Sequence, residues 1–172
     1  LGTLLIVMGI GIFSDTIFAS HAPEKTAYAL PEAAAGGTGA PAAAAPVVSI
    51  AELLGKADPA RGANLAKQQC GACHTFTKGG KDGIGPHLFG VVDRPIASIA
   101  GFGYSPGMQA KAKTDGKWTF EHLQAFITNP RGYAAGTKMA FGGLKDPTRL
   151  GDVIAYLRSL ADTPVPLPTA AK

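Results

Sequence analysis

The segment QQCGACHTF, residues 68–76, contains the only two cysteines of the chain, and a histidine directly follows the second. Cys70, Cys73 and His74 could form a redox dithiol, half of a zinc site or the attachment point of a haem. A structural zinc site needs four ligands, and the other histidines show no paired spacing. A thioredoxin-type dithiol follows a buried strand, and no such strand precedes Cys70. The pattern therefore favours covalent haem attachment.

The spacing also suits the chemistry of a c-type haem. Residues i and i+3 share a helix face, so Cys70 and Cys73 can both form thioethers with one edge of a porphyrin. His74 can then turn beneath the iron as one axial ligand, and the second axial ligand separates electron transfer from ligand chemistry. Spacing alone does not choose between Met108 and Met139 for that position, because methionines more often pack in the core. A haem with two histidine ligands, the second being His87 or His122, is the alternative.

The elements that position this motif are predicted to be helices. Asp58 and Pro59 predict the N-cap and first residue of a helix that runs to the cysteines. Gly62 inside that helix indicates the close approach of another element. Asp146-Pro147 predicts the same cap for a last helix. The apolar stripe of this last helix is Leu150, Val153, Ile154, Leu157 and Leu160.

Three further helices complete the predicted fold. Trp118-Thr119 opens one over TFEHLQAFITN, and Pro130 ends it. Ser105-Pro106 starts a short one, and Ser49 with Glu52 forms a capping box where the folded part begins. No segment alternates like a strand. We therefore predict an all-α domain whose helices are joined by Gly-rich loops.

Composition divides the 172 residues into four parts. Residues 1–20 are almost wholly apolar and are predicted to be a transmembrane anchor, with a cleaved signal peptide as the alternative. Residues 21–48 are rich in Ala, Pro and Gly and should form a flexible linker. Residues 49–163 hold the predicted haem domain, and residues 164–172 a flexible tail. Both interpretations of the first segment send the rest of the chain out of the cytoplasm.

Basic residues are concentrated in the predicted haem domain. Residues 57–163 contain 13 Lys and Arg against 8 Asp and Glu, a net charge of +5, whereas the whole chain carries +4. A basic domain suggests an acidic partner surface that steers its approach. The docking candidates are Lys78, Lys81, Lys138 and Lys145. No basic run or aromatic stacking pattern indicates a nucleic acid.

Several motifs, in order and at near-constant spacing, resemble class I cytochrome c of the mitochondrial cytochrome c and bacterial cytochrome c2 type. They are CGACH, GPHLFGVVDR, GFGYSPGM, Trp118, NPRGYAAGTKM and DVIAYLRSL, and they span residues 58–160. The apolar start and the Ala/Pro stretch further resemble the membrane-anchored carriers called cytochrome cy or membrane-bound cytochrome c-552. The implied fold is a few helices wrapped around one haem.

The resemblance implies one haem c, bound covalently through Cys70 and Cys73, with His74 and Met139 as the iron ligands. Pro86 matches the proline whose carbonyl fixes the proximal imidazole. The other matched haem-contacting positions are the propionate donors Arg94, Tyr104 and Trp118, together with Phe126 and Thr137.

Three positions depart from the family's pattern. Ala66 replaces an aromatic residue near the crossing of the first and last helices. Phe126 stands where many relatives carry a tyrosine whose hydroxyl bonds near the methionine sulfur. Ala135 replaces a proline of the methionine loop, and losing that proline should loosen the loop.

The resemblance implies an electron carrier, not an enzyme, and no small-molecule substrate. The expected donor is a cytochrome bc1 complex and the expected acceptor a cytochrome c oxidase, as separate complexes or a supercomplex. The expected location is a bacterial inner membrane, bound through the N-terminal helix, with the haem domain in the periplasm. Alternatives are a soluble periplasmic shuttle, a fixed subunit of an oxidase or reductase, and a haem sensor or peroxidase with a labile methionine ligand.

Overall fold

The computed structural model describes residues 7–9, 13–14 and 48–168. Residues 7–9 and 13–14 are helical, and the predicted anchor and linker otherwise lie outside the described residues, as do residues 169–172. The chain divides into two units, residues 1–43 and 44–172. Among the helices of the described segments, none combines the length and the apolar character that crossing a bilayer requires.

The part of the chain between residues 48 and 168 contains six helices joined by loops. They are α1 (Ile50–Gly55), α2 (Pro59–Gln69), α3 (Pro106–Thr114), α4 (Phe120–Thr128), α5 (Pro130–Tyr133) and α6 (Pro147–Ser159). These described residues contain no β-strand, only one antiparallel bridge between Pro95 and Lys117. The prediction of an all-α domain is confirmed for this part of the chain.

The helix starts carry the predicted caps. Asp58 accepts hydrogen bonds from the backbone N–H groups of Ala60 and Arg61, so it satisfies two donors that the first turn of α2 leaves free. At α1 the Ser49 hydroxyl accepts from the Glu52 N–H, but the Glu52 carboxylate pairs with a lysine one turn further on. Only half of the predicted capping box therefore forms.

The short helix α5 was not predicted from the sequence. Asn129, with φ −150° and ψ 82°, ends α4 as Pro130 requires. The same proline is the first residue of α5, and the Asn129 side chain accepts from the N–H of Gly132. Pro130 therefore ends one helix and starts the next, because a proline at the first helical position has no N–H to satisfy.

The first and last helices of the haem-domain motifs, α2 and α6, cross at Gly62. A Cβ on Gly62 would lie 1.9 Å from the carbonyl oxygen of Asp152 and 3.0 Å from the Cβ of Tyr156. No side chain fits at that distance, which confirms the close approach predicted from this glycine. Ala66, one turn along α2, is completely buried, so the small residue at the aromatic position lies within the packed interior.

A buried carboxylate joins the same two helices. Asp152 of α6 is 2% exposed. It accepts hydrogen bonds from the N–H of Asp58 at 2.7 Å and from the Arg61 guanidinium at 2.8 and 3.0 Å. Burial raises the pKa of Asp152, but the hydrogen bonds from Arg61 and Asp58 outweigh it, so the pKa lies below its ordinary value. Asp152 therefore ties the start of α2 to α6 in its ionised form.

The core is one cluster of buried apolar side chains between the helices. Ile154 of α6 lies at its centre with no exposed surface, and Leu123 of α4 is 3% exposed. At the ends of the domain, Val48 and Val165 pack against this cluster, and the Arg158 side chain donates to the carbonyl of Val165. The segment that follows α6 thus returns to the helix it leaves.

Replacing Gly62 with Ala should force α2 away from α6, because the new methyl group would overlap the Asp152 carbonyl. We expect a loss of about 1–3 kcal/mol in the free energy of unfolding, measured by denaturant titration of the haem-loaded protein. Gly55→Ala is the control, since a Cβ at this helical glycine meets nothing within 4 Å. Equal stability of the Gly62→Ala variant and the wild type would refute the crossing.

Asp152→Asn should lower the free energy of unfolding at neutral pH by about 1–3 kcal/mol, because the hydrogen bonds lose their charged acceptor. A lowered folded-state pKa contributes stability that is present above the unfolded value of about 3.9 and is lost as the pH falls through the folded-state value. The difference in the free energy of unfolding between Asp152→Asn and the wild type should therefore become smaller as the pH falls, measured by unfolding titrations at acidic pH. The exposed Asp162→Asn should show neither effect; a pH-independent difference for Asp152→Asn would contradict the account.

Candidate haem-attachment site

The two cysteines lie in a turn that follows α2. Cys70 caps the C-terminal end of the helix, and its carbonyl accepts hydrogen bonds from the N–H groups of Cys73 at 3.0 Å and His74 at 2.9 Å. A Cβ on Gly71 would lie 2.5 Å from the carbonyl oxygen of Lys67, so the tight turn needs this glycine. The motif is thus held by a turn, whereas the sequence pattern predicted a continuous helix.

Both alternatives to haem attachment fit the surroundings poorly. Burial raises the pKa of the half-buried Cys70 thiol, and the neighbouring Cys73 raises it further. A reactive dithiol needs a lowered thiol pKa, because the thiolate is the nucleophile. Within residues 7–9, 13–14 and 48–168, no group of three or more His, Cys, Asp or Glu side chains could hold a metal ion. Neither a redox dithiol nor a zinc site is therefore favoured.

The His74 imidazole is fixed by a backbone carbonyl. Its Nδ1 lies 2.6 Å from the carbonyl oxygen of Pro86. Because a carbonyl can only accept, Nδ1 carries the hydrogen and the lone pair of Nε2 remains free for a metal. Burial lowers the pKa of His74, against the opposing effect of the bond to Pro86. The side chain therefore has the neutral, oriented form that a proximal iron ligand requires.

The loop from Asp82 to His87 supports this imidazole. A Cβ on Gly85 would lie 2.4 Å from Cε1 of His74 and 2.7 Å from Nε2. The Asp82 carboxylate closes the loop by accepting from the N–H and from Nδ1 of His87, both at 2.8 Å. The bond from the His87 N–H is the main cause of the lowered pKa of Asp82. The Asp82–His87 pair is a contact that the sequence analysis missed.

Two of the predicted propionate donors, Arg94 and Trp118, are joined through the backbone. The Arg94 guanidinium donates to the carbonyls of His87 at 3.0 Å and Phe89 at 3.2 Å, and the Arg94 carbonyl accepts from the N–H of Trp118 at 2.9 Å. A guanidinium has five N–H donors, so donors remain for a carboxylate. Burial lowers the pKa of Arg94 and raises that of the half-buried Tyr104. Arg94 and Tyr104 are thus partly desolvated polar groups suited to an anion.

The aromatic rings of Trp118, Phe126 and Tyr133 pack against one another. The Trp118 ring is 7% exposed, and its centroid lies 5.1 Å from that of Phe126 and 6.0 Å from that of Tyr133. Phe126 and Tyr133 are 5.6 Å apart in an edge-to-face arrangement. Phe126 therefore belongs to an apolar surface that excludes water.

The two candidate methionines lie in different surroundings. Met108 of α3 is 7% exposed and belongs to the buried core. Met139 is half-buried in the loop between α5 and α6, and its N–H donates to the hydroxyl of Thr137 at 3.3 Å. Met108 thus has the packing role typical of methionine, and Met139 remains as the candidate iron ligand.

Two of the four predicted docking lysines also anchor this loop. The ammonium group of Lys138 donates to the carbonyl of Gly103 at 2.9 Å, and that of Lys145 donates to the carbonyl of Thr128 at 2.7 Å. Both side chains belong to exposed residues, so their amino groups serve the loop and still lie at the surface.

The donor set suits haem c. Two thiols in one turn can form the thioethers, a neutral imidazole with a free Nε2 and a thioether sulfur can serve as axial ligands, and a half-buried guanidinium can meet a propionate. The imidazoles of His87 and His122 are bonded to Asp82 and to the carbonyl of Lys117, respectively. Their Nδ1 atoms thus have protein partners.

Comparison with known proteins agrees with this geometry. A protein of Bradyrhizobium diazoefficiens called cytochrome c homolog is 43% identical over 175 residues, which cover 100% of this chain and 93% of the relative. Cytochrome c-550 of Ancylobacter novellus is 41% identical over 59% of this chain and 94% of its own length. Cytochrome c of Arabidopsis thaliana is 38% identical over 64% of this chain and 96% of its own. No protein-family model matches the chain.

Gly85→Ala should displace the His74 ring, because the added methyl group cannot occupy a position 2.4 Å from Cε1. We expect about 1–3 kcal/mol less stability in the haem-loaded protein and a lower yield of covalently bound haem, measured by haem staining of denaturing gels. Gly142→Ala is the control, since a Cβ there meets nothing within 4 Å. Equal haem yields and equal stabilities for the two variants would contradict the close contact between Gly85 and the His74 ring.

Proposed function

Because the chain belongs to the class I c-type cytochromes, we propose that it carries single electrons from a cytochrome bc1-type complex to a terminal oxidase while tethered to the membrane. Cytochrome c homologues are electron-transfer proteins that carry one covalently attached haem c with histidine and methionine ligation. The membrane tether, the cytochrome bc1-type donor and the oxidase acceptor are our proposal for this chain.

The main support for the tether is the extent of the similarity to the Bradyrhizobium protein, which covers the whole chain. Cytochrome c-550 matches nearly its full length but only 59% of this chain, about the size of the haem domain. The similarity extends beyond a stretch of that size in more than one relative, which supports treating the first 48 residues as an addition to the haem domain. An apolar segment of that size followed by an Ala/Pro-rich stretch suits an anchor and a linker.

We assign the thioether bonds to Cys70 and Cys73 and the iron ligation to His74 and Met139. When bound, haem c supplies a one-electron Fe(III)/Fe(II) couple, and a methionine ligand raises its potential. The hydrogen bond from His74 to Pro86 orients the imidazole and makes Nε2 a better electron donor.

The remaining assigned residues shield the group and meet its charges. Trp118 and Phe126 would exclude water from the site. Arg94, Tyr104 and Trp118 would meet the propionates of the haem, which would be costly to bury without partners. Thr137 fixes the backbone of Met139 through its hydroxyl.

A docking surface beside the attachment motif supports a protein partner. Ile84 lies between two glycines of the loop that carries Pro86, and it is 81% exposed. Lys78 and Lys81 lie on the same loop, and Lys78 forms an exposed ion pair with Asp162 at 2.6 Å. An apolar centre with basic surroundings fits a partner with an apolar patch and an acidic rim. Lys78, Lys81 and Ile84 would then set the orientation of the docked partner relative to the haem.

A tether would replace diffusion by a high local concentration. A flexible linker of about 27 residues has a typical end-to-end distance of roughly 30 Å, which keeps a head near partners in the same membrane. The linker, not the total amount of this protein, would then set the concentration of the haem domain near its partners. The rate of electron transfer would therefore depend little on how much of the protein the cell makes.

Fractionation of cells that express the full gene tests the tether. We expect haem-stained protein to stay in membranes after an alkaline wash, with residues 1–20 still on the polypeptide. The matched control replaces residues 1–20 with a cleavable signal peptide and should release the haem domain into the periplasm. In membranes that contain the tethered protein, its haem should become oxidised when oxygen is added and reduced when quinol is added. Release of the full-gene product with a new N-terminus near Ser20 would contradict the tether and favour a soluble shuttle.

A further inference from the structure

A cluster of polar groups outside the assigned site surrounds Asp115, the residue that caps the end of α3. Its Oδ2 accepts a hydrogen bond from the Tyr133 hydroxyl at 2.6 Å and pairs with the Lys111 ammonium at 3.2 Å. Its Oδ1 accepts from the Thr114 hydroxyl at 2.7 Å. Nε2 of His122 lies 3.9 Å from Oδ2. The carboxylate, whose side chain is 15% exposed, thus has a partner on each oxygen.

The Tyr133 side chain is held on several sides. Its ring stacks on Trp118 and meets the edge of Phe126, and the Lys111 ammonium lies 4.4 Å from the ring centroid. The hydrogen bonds, first of all that from Tyr133, lower the pKa of Asp115 to about 2. Burial raises the pKa of Tyr133. At neutral pH the bond therefore joins a phenol to a carboxylate, which makes it stronger than a bond between neutral groups.

Tyr133 is the last residue of α5 and the start of the path to Met139. Two further contacts fix that path to the segment 103–115, which contains α3. A Cβ on Gly107 would lie 1.9 Å from the carbonyl oxygen of Ala135, so the two backbones touch. The Lys138 ammonium donates to the carbonyl of Gly103 at 2.9 Å. Three contacts thus join the approach to Met139 to one segment, and the Tyr133–Asp115 bond is the only side chain–side chain hydrogen bond among them.

Residue 135 explains why such a bond is needed. Alanine at this position leaves the backbone free to rotate where a proline would restrict it. Within residues 134–139 the hydrogen bonds are short-range, from the Thr137 N–H to the Ala134 carbonyl and from the Met139 N–H to the Thr137 hydroxyl. Tyr133, the residue directly before this stretch, adds a bond to the segment that contains α3.

We propose that the hydrogen bond between Tyr133 and Asp115 is a latch that keeps Met139 on the iron, so both residues are positioning residues for the electron-carrier site. This inference rests on the assignment of Met139 as the ligand made under Proposed function. When the latch opens, the loop leaves α3 and the population without methionine ligation rises.

Imidazole titration of the ferric, haem-loaded full chain at neutral pH tests the latch. Imidazole competes with Met139, and loss of the methionine-sulfur-to-iron charge-transfer absorption follows the exchange. Tyr133→Phe should increase the apparent affinity for imidazole about tenfold, since the affinity scales with the open population and the lost bond has a charged acceptor. Asp115→Asn should act in the same direction, and the double variant should resemble Tyr133→Phe, because both changes remove one bond.

Tyr156→Phe is the matched control. It removes the same hydroxyl from a ring that packs on Phe76 and does not form the bond to Asp115, so it should change the apparent affinity by less than about twofold. Additive effects of Tyr133→Phe and Asp115→Asn, or effects equal to that of Tyr156→Phe, would overturn the latch and leave the electron carrier intact. Absence of the charge-transfer absorption in the wild type would overturn both the ligand assignment and the latch. Asp115→Asn keeps the test decisive if Tyr133→Phe yields too little holoprotein.

Discussion

At Gly62 the backbone of α2 lies against the carbonyl of Asp152 in α6, at a distance that excludes even a methyl group. The carboxylate of the same aspartate accepts from the backbone at the start of α2 and from Arg61. Because α2 ends at the attachment motif, its position relative to α6 fixes where the two cysteines and His74 can lie. The crossing is thus the constraint from which the rest of the domain is built.

The two proposed iron ligands, His74 and Met139, depend on that frame through two differently supported loops. On the His74 side, the loop from Asp82 to His87 is closed by hydrogen bonds within the loop and brings a glycine and a carbonyl against the imidazole. On the Met139 side, the hydrogen bonds within the loop join only near neighbours, such as Met139 and Thr137. Contacts with the segment 103–115 and with the end of α4 hold the loop against the rest of the domain. The position of His74 is therefore fixed by one nearby loop, whereas the position of Met139 also depends on tertiary contacts.

Local chemistry explains which features could be predicted from the sequence. Caps such as Asp58 depend on neighbouring residues, and Gly62 signals a close approach by its lack of a side chain, so both were predicted correctly. The helix α5 was missed because four residues carry no periodicity. The pair Asp82–His87 was missed because no spacing rule pairs residues within an irregular loop. The pair Tyr133–Asp115 was missed because no spacing rule connects residues at the ends of separate helices. Burial of Met108 in the core supplied the distinction between the methionines that spacing could not make.

The central claim is that this scaffold presents His74 and Met139 to one haem. Proton NMR of the reduced, haem-loaded protein tests it most directly, because the ring current of the haem shifts the methyl protons of a ligating methionine far upfield. The account predicts one such methyl resonance that is lost in Met139→Leu and kept in Met108→Leu. An upfield methyl that disappears only with Met108, or no upfield methyl in the wild type, would contradict it.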